Sequence, residues 1–537
     1  MKKIMKQHSF ASRLKSLALV FGIALVFASC ANEDIAQNPN GTDNNKNFTI
    51  FSTGDPATRT SMESNGAFYW EAGDKIWVKD DNGTWRQSRN APTEKTASFK
   101  FEVPGKFTKT TTYKVYYPGK NGNQNQVTIA ANQSQAEPNT TAHFGTSGDC
   151  GMADAAWSNA KNGFAFTLDH KAAYLVFKPY TSNDVLKYCF LTKIEVTSDN
   201  DITDTYTLDP TAATGTGALT GTGSGNKIEL ITKGNSGSTY PNGFPLTNTS
   251  ASLTTNGAYM VIKPGTHTLR IRYWVKDVAT GVEGTITKII PSHTFAKNEY
   301  VNMEADLQIK NYDGDHYCMW DAKKQYWDGY EWTKNLPIGV GQPVINNGSP
   351  GSHNEKHSDN YPQTSSDPRW HVSKIYYSRL DAKNLCAVAP NVNELFWYAS
   401  FGDPRWDGDE LWTTMGHLYK SGLWIKKKSV LLSEGHFNTE AFQGDDYRTQ
   451  LFTRNNPVSK VLPSASEADK YFFLPSLGQY DNGTLSDVGR YGHFWSSSSY
   501  EGGAAYDLSF RDDYCEVHSS VLVMGYRAQS FTDFGDN

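Results

Sequence analysis

HTLRIRYWV (residues 267–275) alternates without a break. Leu269, Ile271, Tyr273 and Val275 fall on one side, and Thr268, Arg270, Arg272 and Trp274 on the other. A two-residue period is that of a β-strand with one face on a core and the other in water. Strand patterns extend in both directions. Upstream lie FAFTL (164–168), AYLVF (173–177) and the alternating TKIEV (192–196); downstream lie TITKII (285–290) and YVNMEADL (300–307). Nearer the start, FTIF (48–51) reads as a short apolar strand, residues 66–78 as strand, Gly-Asp turn, strand, and KVYYP (114–118) as a strand that stops at proline. The Gln/Asn-rich residues 121–139 predict an exposed loop, and the Gly/Thr/Ala tract 211–225 a flexible one. Two β-sandwiches in series, 46–162 and 163–308, accommodate these strands.

The character changes near residue 308. In 309–537 Trp, Tyr and Asp crowd together and helical signals appear. Asn391 is placed to cap a helix with Glu394 at its third position. Leu395, Phe396 and Ala399 give the apolar stripe, and Gly402 the stop. Strands resume at YFFLP (471–475), 504–510 and 525–531, so the last segment reads as a mixed α+β domain. The expected class is therefore mainly β: two sandwiches followed by an α+β domain.

The 537 residues suffice for two to four domains with cores of their own. With 14 Trp, 29 Tyr and a formal net charge of -5, the chain is aromatic-rich and carries no basic field for nucleic acid. The first residues carry an address. Lys2, Lys3, Lys6, Arg13 and Lys15 precede an apolar run, 17–27, and then Ala28-Ser29-Cys30. The run is too short to span a bilayer comfortably, so 1–29 reads as a lipoprotein signal peptide with Cys30 as the lipid-bearing first mature residue. Residues 30–45 read as an acidic, Asn-rich flexible linker. Removing Cys30 leaves Cys150, Cys189, Cys318, Cys386 and Cys515, an odd number at irregular spacing, which argues against a disulfide framework, leaves room for one bridge and favours small buried or isolated thiols.

Three stretches carry a family resemblance. TRTSMESNGAFYWEAGDKIWV (58–78), FTLDHKAAYLVFK (166–178) and FAKNEYVNMEADL (295–307) resemble the fimbrillin (Mfa-like) lipoproteins of Bacteroidetes pili. The resemblance covers roughly 46–308 and implies two transthyretin-like sandwiches. YFFLPSLGQYDNGTLSDVGRYGHFWSSSS (471–499), supported by VNELFWYASFGDPRWDGDELWTTMGHLYKSGLW (392–424), resembles the major-paralogous domain family, a variant of the C-type lectin fold. That family closes with an arginine after a Gly-aromatic-small-Val run. Here the close is Gly525-Tyr526-Arg527-Ala528-Gln529, which puts the anchoring role of that arginine in question. Ala31-Asn32-Glu33-Asp34 resembles the export tag of outer-membrane surface lipoproteins.

The resemblance implies a surface-exposed fimbrial subunit or adhesin anchored in the outer membrane by lipid. It would join other pilin subunits by strand exchange after cleavage at Arg59. A domain in place of a C-terminal donor strand points to the tip of the fibre. Alternation over 504–510 puts Tyr506, Leu508 and Phe510 inward and Ala505, Asp507 and Ser509 outward. With Arg490, Tyr491, His493, Arg511, Asp513, Tyr514, Glu516 and His518, the outward residues form the expected surface for a protein or glycan ligand, since Tyr among short polar groups suits adaptable binding. Trp406, Trp412 and Trp424 are expected in the core. Asp313-Gly314-Asp315 and Asp407-Gly408-Asp409-Glu410 are too short for a calcium loop, and no metal or cofactor is expected. The cysteine pair of the related sulfatase-activating oxidases is missing, as are a nucleophile elbow, a zinc helix and a phosphate loop, so no enzyme activity is expected. The alternative is a free-standing glycan-binding surface lipoprotein, accessory to polysaccharide uptake.

Overall fold

The computed structural model describes residues 48–53, 61–62, 68–213, 215–335, 339–344, 356–372, 379 and 381–536. Cys30 and Arg59 lie outside the described residues. Strands take 43% of the described residues and helices 8%, which makes the fold mainly β as expected. No described helix is long and apolar enough to cross a membrane.

The first sheet places Phe48–Thr53 in its interior. That strand runs antiparallel to Lys100–Pro104, with Phe51 opposite Phe101, and parallel to Gly163–Phe166, with Phe51 opposite Phe164. Phe51, Trp70, Phe101, Tyr117 and Phe164 fill the first core.

A second core lies between a three-stranded sheet (Ala258–Ile262, Ala173–Tyr180, Tyr300–Asp306) and a longer sheet that contains Phe190–Ser198, Gly265–Lys276 and Glu283–Phe295. The 267–275 pattern holds, with Leu269, Ile271, Tyr273 and Val275 all sealed. Its other face does not meet water as expected. Arg272 is only 6% exposed, because a later strand, Arg405–Thr414, covers it. That strand joins the sheet through one parallel pair, Thr285 opposite Glu410.

Residues 121–139 are not the expected loop. They contain the strands Gln126–Ile129 and Asn132–Ser134. Two glutamines explain why so polar a stretch is ordered. Gln133 Nε2 donates to Val261 O (2.7 Å) and its Oε1 accepts from Val261 N (2.9 Å). Gln135 does the same to Gly257 O (2.9 Å) and Tyr259 N (2.8 Å). Side-chain amides thus stand in for a neighbouring strand along the edge of Ala258–Ile262, whose buried peptide groups need partners. The 211–225 tract likewise holds a short strand, Ala218–Thr220, paired to Asp204–Asp209.

The last core is built on a sheet containing Gly492–Tyr500, Ala504–Phe510 and Tyr514–Val521, with helix Val392–Phe401 packed on it. The helix carries the expected capping box. Asn391 Oδ1 accepts from Glu394 N (3.0 Å) and Glu394 Oε2 from Asn391 N (2.8 Å). The Trp-rich stretch after it is a hairpin, Arg405–Thr414 and His417–Lys426. Arg527 does anchor the closing strand, although its place in the motif has shifted. It is 1% exposed, donates to Asp313 O (2.7 Å) and to Gln529 Oε1 (2.5 Å), and lies over the Tyr317 ring.

Candidate functional site

Two turns and one hairpin converge on a groove of about 340 Å³. The hairpin contributes Trp406, Gly408, Lys420 and Ser421; the turn after Thr484–Val488 contributes Gly489, Arg490 and Tyr491; the turn after Ala504–Phe510 contributes Arg511 and Asp512. Gly489 holds φ +81°, a conformation that favours glycine, and its carbonyl accepts from Ser421 Oγ (2.6 Å), which ties the second turn to the hairpin.

Charge in the groove is preorganised. Arg511 forks onto Asp513 (Nε–Oδ1 2.5 Å, Nη2–Oδ2 2.8 Å), donates through Nη1 to Tyr491 Oη (2.8 Å) and lies over the Tyr514 ring at 4.9 Å. The Arg511 hydrogen bonds hold the Asp513 carboxyl below its usual range. Burial, then Tyr491, push Tyr514 up to about 12, so its phenol stays protonated. Lys420 bonds Asp409 (3.1 Å), and Lys460 bonds Asp512 (2.8 Å). Arg490 sits 3.8 Å from Asp487 and over the Tyr491 ring. Aromatic faces beside fixed guanidinium, ammonium and carboxylate groups can stack on a ring and hydrogen-bond its substituents.

The expected ligand surface divides in two. Arg490, Tyr491 and Arg511 line the groove, with Asp513 and Tyr514 bracing Arg511. Glu516 lies further along the strand, opposite Ser509 and Asn455. His493, Asp507 and Ser509 are buried, and Ala505 with them, which corrects the outward orientation expected for 505, 507 and 509. Ala504–Phe510 is an interior strand covered on both faces, so alternation there does not separate core from water. Trp412 is core as expected, whereas Trp406 is half-buried in the groove wall and Trp424 is half-buried. Lys420 and Gly489 gave no sequence signal of their own; only the meeting of the hairpin with two turns selects them.

The buried residues form a chain of hydrogen bonds, although Asp507 Oδ1 is left without a partner among the described residues. Ser509 Oγ donates to Asp507 Oδ2 (2.7 Å), which leaves its lone pair for His493 Nδ1–H at 2.8 Å. His493 is stacked between Tyr491 and Tyr526. The carboxylate contacts the serine rather than the far nitrogen of the histidine, unlike the order of a nucleophile–base–acid relay. Burial drives His493 down to about 3 and Asp507 up to about 6, the latter opposed by His518 at 3.6 Å. A carboxyl whose folded value is raised adds its stability below pH 3.8 and loses it as pH rises through 6. Asp507→Asn, which keeps an acceptor for Ser509, is therefore expected to stabilise the fold by ~2 kcal/mol at pH 7.5 and to have little effect at pH 4. Urea midpoints at the two pH values read this directly; equal shifts at both would contradict it.

Among the described residues no group of three or more His, Cys, Asp or Glu is placed to hold a metal ion. No family model matches the chain, and no curated protein proved similar to it. Several solved structures resemble it, three of which illustrate the likeness. A fimbrial protein from Bacteroides ovatus shares 12% identity at a TM-score of 0.26, over 89% of this chain and 98% of its own. A candidate cell adhesion protein from the same species shares 15% at 0.28, over 48% of this chain and 93% of its own. The fimbrial anchor protein Mfa2 from Porphyromonas gingivalis shares 12% at 0.20, over 45% and 82%. These are adhesion and fimbrial proteins of Bacteroidetes, the group that the sequence stretches resemble. At such low identities and TM-scores the strand registers above define the fold, and the likenesses add no weight to it.

Proposed function

We propose that this chain is a surface-exposed fimbrial subunit or adhesin. It joins other subunits by strand exchange and binds a protein or glycan ligand through the groove of its last module. The observation that carries the reading is the place of Phe48–Thr53. This strand is held on both edges inside the first sheet, yet it lies at the near end of the described chain and just before Arg59. Cleavage at Arg59 would release it and open a groove with unpaired edges on Lys100–Pro104 and Gly163–Phe166. A strand from another subunit would restore both ladders. The segment Phe531–Phe534 and Asp536 beyond it are packed into the last module, where Asp536 accepts from Lys428 N and Tyr398 Oη, so this segment is not free to act as a donor. Our reading places it at the tip of a fibre, where a subunit accepts a strand and need not donate one. Cys30 would carry the lipid that holds the chain at the outer membrane until cleavage at Arg59 frees it for assembly.

Mass spectrometry of native fibres tests the first half. Assembled chains should begin at Thr60; an intact 31–59 segment in fibres rejects cleavage. Immunogold label at fibre ends supports the tip, and label spread over the cell body rejects it. A glycan array tests the second half. It needs the whole mature chain, because Leu411 and Leu418 of the hairpin belong to the second core and a cut at 308 would strip them of it. Trp406→Ala and Tyr491→Ala are each expected to weaken binding about tenfold, the loss of roughly 1.4 kcal/mol of stacking. Unchanged binding in both variants would remove the groove from consideration.

A further inference from the structure

Cys318 and Cys386 are 68 positions apart, yet their sulfurs are 3.8 Å from each other and both residues are fully buried. We infer that they form an intrachain disulfide in the exported protein. This rests on the surface location proposed above, because such bonds persist in oxidising compartments.

The chain is already folded to bring the two together. Asp321, three residues after Cys318, accepts from Lys383 N (2.9 Å) and Asn384 N (2.6 Å) through its carboxylate. Asn384 Nδ2 returns a bond to Asp321 O (3.0 Å), and Asp321 N donates to Cys386 Sγ (3.1 Å). Asp321 holds φ +49°, a left-handed turn that aims its carboxylate and its N–H at the returning segment. Cys318 O accepts from Trp495 Nε1 (2.8 Å), and Ala382 N donates to Ser497 O (2.8 Å), so both cysteine-bearing segments are pinned to the same strand, Gly492–Tyr500. Bond formation needs each sulfur to move by roughly 1 Å, a side-chain adjustment. The only described strand between the two cysteines is Lys356–His357. A cross-link at the base of so long a loop removes much of the freedom of the unfolded chain.

The reaction is a thiol–disulfide exchange with an oxidant of the extracytoplasmic disulfide-donor class. The Cys318 thiol gives up its proton, and its sulfur attacks one sulfur of the oxidant's disulfide. A mixed disulfide forms, and the oxidant's second sulfur leaves and takes that proton. Cys386, losing its own proton, then attacks the Cys318 sulfur. The Sγ–Sγ bond forms, and the first oxidant sulfur leaves as a thiol. Two electrons and two protons pass from the cysteine pair to the oxidant. Both thiols are sealed in the finished fold, so the exchange happens before the last core closes.

The test is thiol labelling of the full chain exported through its own leader in a Gram-negative host and denatured in maleimide without reductant. Cys150, Cys189 and Cys515 should label, while Cys318 and Cys386 should appear as one cross-linked peptide pair, about 2 Da lighter than the two thiols. Cys318→Ser and Cys386→Ser should each free the partner for labelling. Each should lower the melting point by about 5–10 °C, the double variant no further than either single, and reductant should abolish the difference from wild type. The same purified chain, reduced and reoxidised with oxidised glutathione, separates the two ideas. A cross-link there, with none in the exported protein, supports the pair and rejects the location. Labelling at all five cysteines in both preparations overturns the inference.

Discussion

Arg272→Met is expected to destabilise the chain by about 3–5 kcal/mol at neutral pH, the usual cost of removing one partner of a buried ion pair. Arg272 Nη2 lies 2.7 Å from Asp407 Oδ1, with side chains 7% and 2% exposed. The guanidinium also donates to Thr285 Oγ1 through Nε and Nη2. Beside it Glu410 accepts from Thr285 Oγ1 (3.0 Å), Thr287 N (3.1 Å) and Thr287 Oγ1 (2.7 Å). Burial, then Asp407, push the Glu410 carboxyl above its ordinary range, and Arg272 opposes that rise. Without Arg272 two buried carboxylates face each other with no cation between them. The Glu410 carboxyl, already raised, rises further without Arg272 to oppose it, so the lost stability is greatest at alkaline pH and is partly regained as pH falls and Glu410 takes up a proton. Urea denaturation of Arg272→Met at pH 8 and pH 5 should show the deficit shrink. Asp407→Asn in the same chain should recover part of it, because the pair is coupled. A deficit under about 1 kcal/mol at both pH values would show that the pair contributes little at this junction.

Phe51→Ala should cost a similar amount, about 3–5 kcal/mol, and confine it to the first module. The ring is fully buried. It stacks on Phe164 at 4.9 Å and 17° and meets Phe107 edge-on at 5.1 Å. Alanine would leave a cavity lined by aromatic faces that backbone hydrogen bonds keep from collapsing. Hydrogen exchange reads the location. Amides of Lys100–Pro104 and Gly163–Phe166 should lose protection, while those of Gly265–Lys276 keep theirs. Unchanged protection on both flanking strands would mean that Phe51 does not hold this strand in place. If the strand is exchanged during assembly, the same ring predicts what replaces it: an incoming strand must present an aromatic residue at the position opposite Phe101 and Phe164.

Much of this is legible in the sequence. The capping box at Asn391 and Glu394 is a local hydrogen-bond pattern fixed by residues three apart, and it stands as read. The strands at 173–177, 192–196 and 285–290 stand as well, since an apolar β-branched and aromatic run or an alternating one is a local property of the sequence. Gln133 and Gln135 were misread as loop because their partners, peptide groups of 257–261, are more than a hundred residues away. The groove was half visible: Arg490, Tyr491 and Arg511 stood out in two turns, whereas Lys420 and Trp406 enter it from a hairpin that the sequence did not announce.

By itself the sequence determined which residues share a face, because a strand sends successive side chains to opposite sides whatever it packs against. What each face meets was decided only by the tertiary structure. Leu269, Ile271, Tyr273 and Val275 could be assigned to a core, but Arg272 is dry only because a strand some 130 residues later lies over it with Asp407. Asp507 and Ser509 alternate with apolar neighbours and are nonetheless enclosed, because strands flank theirs on both edges and Tyr526 and His493 close the second face. Cys318 and Cys386 are strangers in sequence and neighbours in space for the same reason: burial depends on what the rest of the chain brings to a surface, and that is not a local property.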